Sequence, residues 1–175
     1  MQWGMITDVI VASAVAVLLV FVGLGLYQWF TRKSLKKVDQ ELLWMPLPLA
    51  LTAITYFIFE KLIVLNVRPN GSGEPSFPST HTMITATIFF IVILIIPKYV
   101  KQKPLRITLE LFMVVMIILV CLGRVFANMH WPIDVVGGVG FAFIFAEVYY
   151  LALKKSRKKE KGAKHAKHLQ QNHQR

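Results

Sequence analysis

Cysteine is almost missing: the 175 residues hold one, Cys121, inside an apolar run. A single thiol has no partner in its own chain, so no disulfide framework exists and Cys121 reads as a small core residue. Acidic residues are scarce as well, nine against twenty lysines and arginines, for a formal net charge of +11. Charged residues together make up only 17% of the chain. A soluble basic protein of this size spreads its lysines over the whole surface. Here they fall in blocks between long apolar runs, which excludes that class. The first apolar run has no basic residue before it, and apolar sequence continues for sixteen residues past the cleavage-like Ala12-Ser13-Ala14. That excludes a cleaved signal peptide, and the run reads as a retained membrane span.

What is present is apolar: 55% of residues are hydrophobic, with a mean hydropathy of +0.55. Five candidate spans run roughly Met5–Phe30, Met45–Val67, Thr80–Pro97, Ile107–Gly123 and Ile133–Leu153. Crossing the hydrocarbon core takes about 20 apolar residues. The third and fourth spans are therefore expected to extend into flanking residues. The fold class is all-α and integral to the membrane, a bundle of about five transmembrane helices over residues 1–153. Residues 154–175 read as a basic, mostly disordered tail with affinity for anionic lipid headgroups. His165, His168 and His173 lie in that solvated tail, which has no feature of a nucleic-acid module.

Seventeen of the twenty basic residues follow the first, third and fifth spans. The positive-inside rule makes that side cytoplasmic, with the N-terminus outside and the C-terminus inside. Trp3 and Trp131 then mark the outer boundary, Trp29 and Trp44 the inner one. Three cations break the rule: Lys61, Arg68 and Arg124, all at outer span ends. A charge near hydrocarbon is costly unless paired or solvated in a cavity. His81, His130 and Asp134 fall at the same level. Three cations, two histidines and one carboxylate repel a divalent metal and suit a phosphate, whose oxygens cations neutralise and whose phosphorus a histidine can attack.

The spacing resembles three signatures of the type 2 phosphatidic acid phosphatase superfamily, in order across residues 61–134. Lys61, six residues, then Arg68-Pro69 is similar to the first. Pro78-Ser79-Thr80-His81 resembles the second, with Thr80 in place of the usual glycine. Arg124, five residues, His130, three residues, Asp134 resembles the third, with Gly123 in place of the usual serine. Five spans stand where members commonly have six.

The resemblance implies a lipid phosphatase with neither metal nor cofactor. It makes His130 the nucleophile, Asp134 the group that holds its imidazole in the attacking tautomer, and His81 the acid for the leaving oxygen. Lys61, Arg68, Arg124, the Ser79 hydroxyl and the Thr80 N–H would hold the phosphoryl group. The implied partners are a phosphorylated lipid and the surrounding membrane lipids, with oligomeric state left open. The short architecture resembles undecaprenyl pyrophosphate phosphatases. Phosphatidylglycerophosphate, phosphatidic acid and the 1-phosphate of lipid A compete as substrates, and a silent lipid-binding protein of the same fold is the non-enzymatic alternative.

Individually these residues have plainer readings. Lys61 can snorkel to the boundary, Ser79 or Thr80 can cap a helix, and His130 with Asp134 can form a structural i, i+4 bond. Glu60 reads as a partner of Lys61 or a water-facing residue, Glu110 and Glu147 as interfacial. Gly138, Ala142 and Ala146, at four-residue steps, read as a helix-packing stripe.

Overall fold

A computed structural model of the chain describes the backbone of residues 2–173 and the side chains of residues 2–160. Helix α1 covers Gln2–Arg32, followed by a single 3-10 turn, Leu35–Lys37. Then come α2 (Gln40–Trp44), α3 (Pro46–Phe57) with a π turn at Ile58–Leu62, α4 (Thr80–Tyr99), α5 (Lys103–Phe126) and α6 (Pro132–His173). Five stretches are long and apolar enough to cross a membrane: Gln2–Arg32, Gln40–Leu62, Thr80–Tyr99, Lys103–Phe126 and Pro132–Glu160. The fold is all-helical, with no strand among the described residues. As expected from their length, the third and fourth spans gain flanking residues, α5 by starting at Lys103 with Pro104 in its first turn.

The first span is also longer and the second starts earlier, at Gln40; two further ends differ from the sequence reading. The second span ends at Leu62, not Val67, because the π turn closes with the Ile63 N–H bonded to Ile58 O at 2.9 Å and Ile63 leaves helical geometry. The chain then turns back in a loop closed by an antiparallel bridge between Val67 and Pro75. At its tip Gly71 and Gly73 take φ of +78° and +73°, a left-handed conformation that suits glycine. The second difference is at Leu153, where α6 continues unbroken. Residues 154–160 contain neither glycine nor proline, and Arg157 is tied to Glu41 at 2.6 Å. The side chains of His165, His168 and His173 lie outside the described residues.

Helix α4 is the axis of the bundle. Of its apolar window 61% is buried, against 11% for α1, and it packs against α1, α3, α5 and α6. Ala86, Phe89 and Val92 of α4 meet Ala14, Ile117 and Ala142 in the main core. Ala142 and Ala146 are buried, and a Cβ on Gly138 would lie 2.9 Å from the Ser79 carbonyl oxygen. The small-residue stripe thus brings α6 onto the first turn of α4. Outward faces carry apolar side chains such as Val9, Val20, Leu111 and Val136, which suits contact with lipid tails.

Each end of the bundle holds a polar cluster. At the end shared by the α1 C-terminus and α2, buried Glu41 receives Lys98 Nζ and Arg157 Nη2, each at 2.6 Å, and its carbonyl accepts the Tyr149 hydroxyl at 2.7 Å. Asp39 lies 3.1 Å from Lys98 and accepts bonds from Gln28 Nε2 at 3.0 Å and Tyr99 OH at 3.1 Å. The candidate catalytic residues gather at the opposite end.

Candidate active site

His130 is placed by the turn that ends α5. Asn128 takes φ +56°, and the N–H groups of Met129 and His130 both bond to the Arg124 carbonyl, at 3.2 and 3.3 Å. This local fold ties the nucleophile candidate to the arginine six residues earlier. The imidazole is buried. Its Nδ1 lies 2.8 Å from the Ser76 carbonyl oxygen. A carbonyl only accepts, so Nδ1 carries the proton and Nε2 keeps its lone pair. Burial lowers the His130 pKa to about 4; the positive charges of Arg124 and Arg68 act in the same direction, while the Ser76 carbonyl and Asp134 oppose. At neutral pH the ring is therefore uncharged and nucleophilic.

The expected direct hold of Asp134 on His130 is replaced by an indirect one. Asp134 Oδ2 stands 3.8 Å from His130 Nδ1. That oxygen is taken by the Ser76 hydroxyl and by the Trp131 N–H at 2.8 Å. The second bond is a capping arrangement, in which the third helical residue satisfies the N–H just before Pro132. Asp134 therefore fixes the start of α6 and the position of Ser76, and Ser76 fixes the ring.

The loop and α4 supply the rest. The Arg68 N–H bonds Glu74 O at 3.0 Å and the Ser76 N–H bonds Asn66 O at 2.8 Å, which fold Arg68 and Ser76 to the same side. The Ser79 N–H reaches Asp134 O at 2.9 Å and anchors the N-terminus of α4 against α6. The Ser79 hydroxyl pairs with Thr82 Oγ1 at 3.0 Å and is fully buried. A cavity of about 570 Å³ is lined by Arg68, Thr80, His81 and His130 at its polar end. Its walls deeper in are apolar, from Val15, Leu18, Leu49, Ile84 and Ile88. Arg124 is buried alongside, with Nη1 3.4 Å from Thr7 Oγ1. Arg68 Nε, Arg124 Nε and Asp134 Oδ1 are buried without a hydrogen-bond partner among the described residues.

Of the predicted residues, Arg68, Thr80, His81 and His130 line the cavity, with Ser79, Arg124 and Asp134 packed around them. Lys61 is exposed and does not line it; Glu60 does. Helical phase explains this. Leu49, Ala53, Tyr56 and Glu60 share one face of α3 and its extension, and Lys61 is turned about 100° away. The sequence reading missed two further residues. Ser76 gives no signal of its own, being an ordinary loop serine. Asp8 of α1 lies 3.0 Å from His81 Nε2 and 3.6 Å from Arg124 Nη1. It is the one acidic residue in a 31-residue apolar helix, and that isolation is a readable signal.

No curated protein matches the chain. A solved structure does: the transmembrane PAP2-type phosphatidylglycerolphosphate phosphatase from Bacillus subtilis, at 22% identity and a TM-score of 0.64, over 88% of this chain and 76% of that one. At that identity the likeness is one of fold. A family profile described as PAP2 superfamily matches residues 52–158, which contain both histidines, all three cations of the signatures and Asp134. The chain belongs to the PAP2 superfamily.

Proposed function

We propose that the protein is an integral-membrane lipid phosphatase that works without a metal, through a phosphohistidine, at the extracytoplasmic face. The observation that carries this reading is His130: buried, uncharged, held through Nδ1 by Ser76, and lining a cavity together with Arg68, Thr80 and His81, with Glu60 also on its wall. In the first step Nε2 of His130 forms a bond to phosphorus. The bond from phosphorus to the leaving oxygen breaks, and that oxygen takes its electron pair and a proton from His81. In the second step water attacks the phosphohistidine and gives its proton to His81; the P–N bond breaks and phosphate leaves. Arg68, Arg124 and the Thr80 N–H at the start of α4 stabilise the phosphoryl oxygens as charge builds on them. Exposed Lys61 adds positive charge near the rim.

A phosphate held at the polar end, with apolar walls behind it, suits a lipid whose hydrocarbon lies in the membrane. The first substrate reading is undecaprenyl pyrophosphate, cleaved to undecaprenyl phosphate. The similarity in fold to a phosphatidylglycerolphosphate phosphatase favours phosphatidylglycerophosphate as the second reading. The test is phosphate release by purified protein in detergent across undecaprenyl pyrophosphate, phosphatidylglycerophosphate and phosphatidic acid, with and without a chelator. The expected result is chelator-resistant release, inhibited by vanadate and fastest on the pyrophosphate. Complete loss with chelator and recovery with a divalent ion would overturn the mechanism; a faster rate on phosphatidylglycerophosphate would select the second substrate. Sidedness is tested by a cysteine at Ser72, with Cys121 replaced, which should react with an impermeant thiol reagent in intact cells.

A further inference from the structure

Helix α1 lies wholly outside the residues matched by the family profile, yet its first two turns are built into the site. Thr7 is fully buried. Its hydroxyl donates to Gly4 O at 2.7 Å and accepts from Arg124 Nη1 at 3.4 Å. Its methyl group would lie 2.5 Å from a Cβ on residue 123. Gly123, where the resemblance leads one to expect serine, is thus the condition for Thr7 to enter. Beside it, Asp8 is a carboxylate in an apolar helix, a placement that is expensive unless the charge is matched. It is matched by His81 Nε2 at 3.0 Å and Arg124 Nη1 at 3.6 Å.

We propose that Asp8 is a positioning residue for the acid step: its carboxylate, 3.0 Å from Nε2, orients the His81 ring and faces it with a negative charge. This rests on the phosphohistidine reading. His81 lines a cavity together with Arg68 and shares the Asp8 carboxylate with Arg124, so a protonated ring would stand among like charges. An acid must nevertheless carry its proton before the leaving oxygen departs, and a carboxylate on one ring nitrogen supplies the opposing charge. With Nε2–H donated to Asp8, the Nδ1–H of the imidazolium is left to protonate the leaving oxygen. After transfer, the proton on Nε2 remains bonded to Asp8 and the neutral ring can accept a proton from water through Nδ1.

The test compares the unchanged protein with Asp8→Asn, Asp8→Glu and His81→Ala in single-turnover formation of the phosphoenzyme. Phosphatidic acid supplies a basic alkoxide leaving group and undecaprenyl pyrophosphate a weakly basic phosphate. Asp8→Asn should slow the first step on phosphatidic acid by about 10- to 100-fold, below the full general-acid contribution of roughly 10²–10⁴, and on the pyrophosphate much less. Vanadate should bind as well or better, since a negative charge beside Arg124 is gone. Asp8→Glu should recover part of the loss.

Unchanged rates on both substrates overturn the proposal. So do equal losses on both with weaker vanadate binding and a lowered melting temperature, which would mean that Asp8 only seats α1. His81→Ala separates the layers. If it loses the monoester step while Asp8→Asn does not, the role of Asp8 fails and the functional reading stands. If the unchanged protein hydrolyses neither lipid, the functional reading fails and the proposal with it.

Discussion

At one pole of the bundle, Lys98 is shared by Asp39 and Glu41, Arg157 goes to Glu41 and Arg32 lies 3.6 Å from Asp39. At the other, Arg68 has exposed Glu74, while Arg124 and His81 share the single carboxylate of Asp8. Both poles use the same residue types, and both bury some of them. Among the described residues, the Glu41 pole leaves one buried side-chain atom unmatched, Gln40 Oε1; the His130 pole leaves two arginine Nε groups and Asp134 Oδ1. A matched cluster fixes helices relative to one another. An under-matched one keeps positive potential available for an anion, and its own stability is the lesser for it. The comparison teaches where this chain spends its polar residues on structure and where on chemistry.

The largest effect that would break this contrast is expected at His130. His130→Ala removes the proposed nucleophile and should abolish turnover of every substrate, a loss of at least about 10⁴-fold, with no labelled phosphoprotein trapped. Turnover that persists, or phosphate trapped on another residue, would reverse the assignment. Next come paired substitutions at the two poles. Arg68→Ala should lower kcat/KM by roughly 10²–10³-fold with the melting temperature in detergent unchanged or slightly raised. Lys98→Ala should do the reverse: activity per folded molecule is kept, and stability falls by about 1–2 kcal/mol, the buried-pair cost discounted for the exposed part of the lysine. If both variants lose activity in proportion to stability, the two poles are not distinct.

Acid sharpens the contrast further. The His130 pKa of about 4 lies below the ordinary 6.5, so the unfolded chain binds a proton there that the folded chain refuses. The contribution of this group to stability therefore falls as pH drops from 6.5 to about 4, and the neutral nucleophile is lost only around pH 4. For Asp39, burial raises the pKa, but the bonds from Gln28, Lys98 and Tyr99 outweigh it and hold the group below its ordinary 3.8. Its contribution is present above 3.8 and is lost as pH falls through that lowered value. The acid limb of kcat/KM should therefore lie near pH 4; a limb near 6.5 would contradict the buried, Ser76-bound ring. The smallest effect belongs to Lys61→Ala, below about 5-fold in kcat/KM, as befits an exposed charge at a distance. A loss equal to that of Arg68→Ala would place Lys61 on the phosphate.

The five helices were legible because each is a long apolar run closed by basic residues, a signal that needs no tertiary information. The motif residues were legible too, since charges at the ends of apolar segments stand out from their surroundings. What failed was phase and partnership. Lys61 fits a signature by spacing, but the repeat from Leu49 through Tyr56 points Glu60 inward. Spacing alone joins His130 to Asp134 as i, i+4 neighbours; the capping bond to Trp131 and the intrusion of Ser76, 54 residues away from His130 in sequence, depend on a loop fold that no local pattern encodes. Asp8 was visible as an isolated carboxylate, but its partners lie 73 and 116 residues away along the chain.

The contact of Thr7 with Arg124 spans 117 residues. Chains grow at about 5–20 residues per second, so the first helix is made roughly 6–23 s before the residue that it must meet. Through that interval Thr7 and Asp8 lack Gly123 and Arg124, and His81 itself follows Asp8 by 73 residues. The docking of α1 on α5 is then a late step of biogenesis, followed by the residues that bring His130 and Asp134. Synthesis thus imposes an order on this contact: helices can be in place in the membrane while the polar pole stays open, because Thr7 is made long before Arg124.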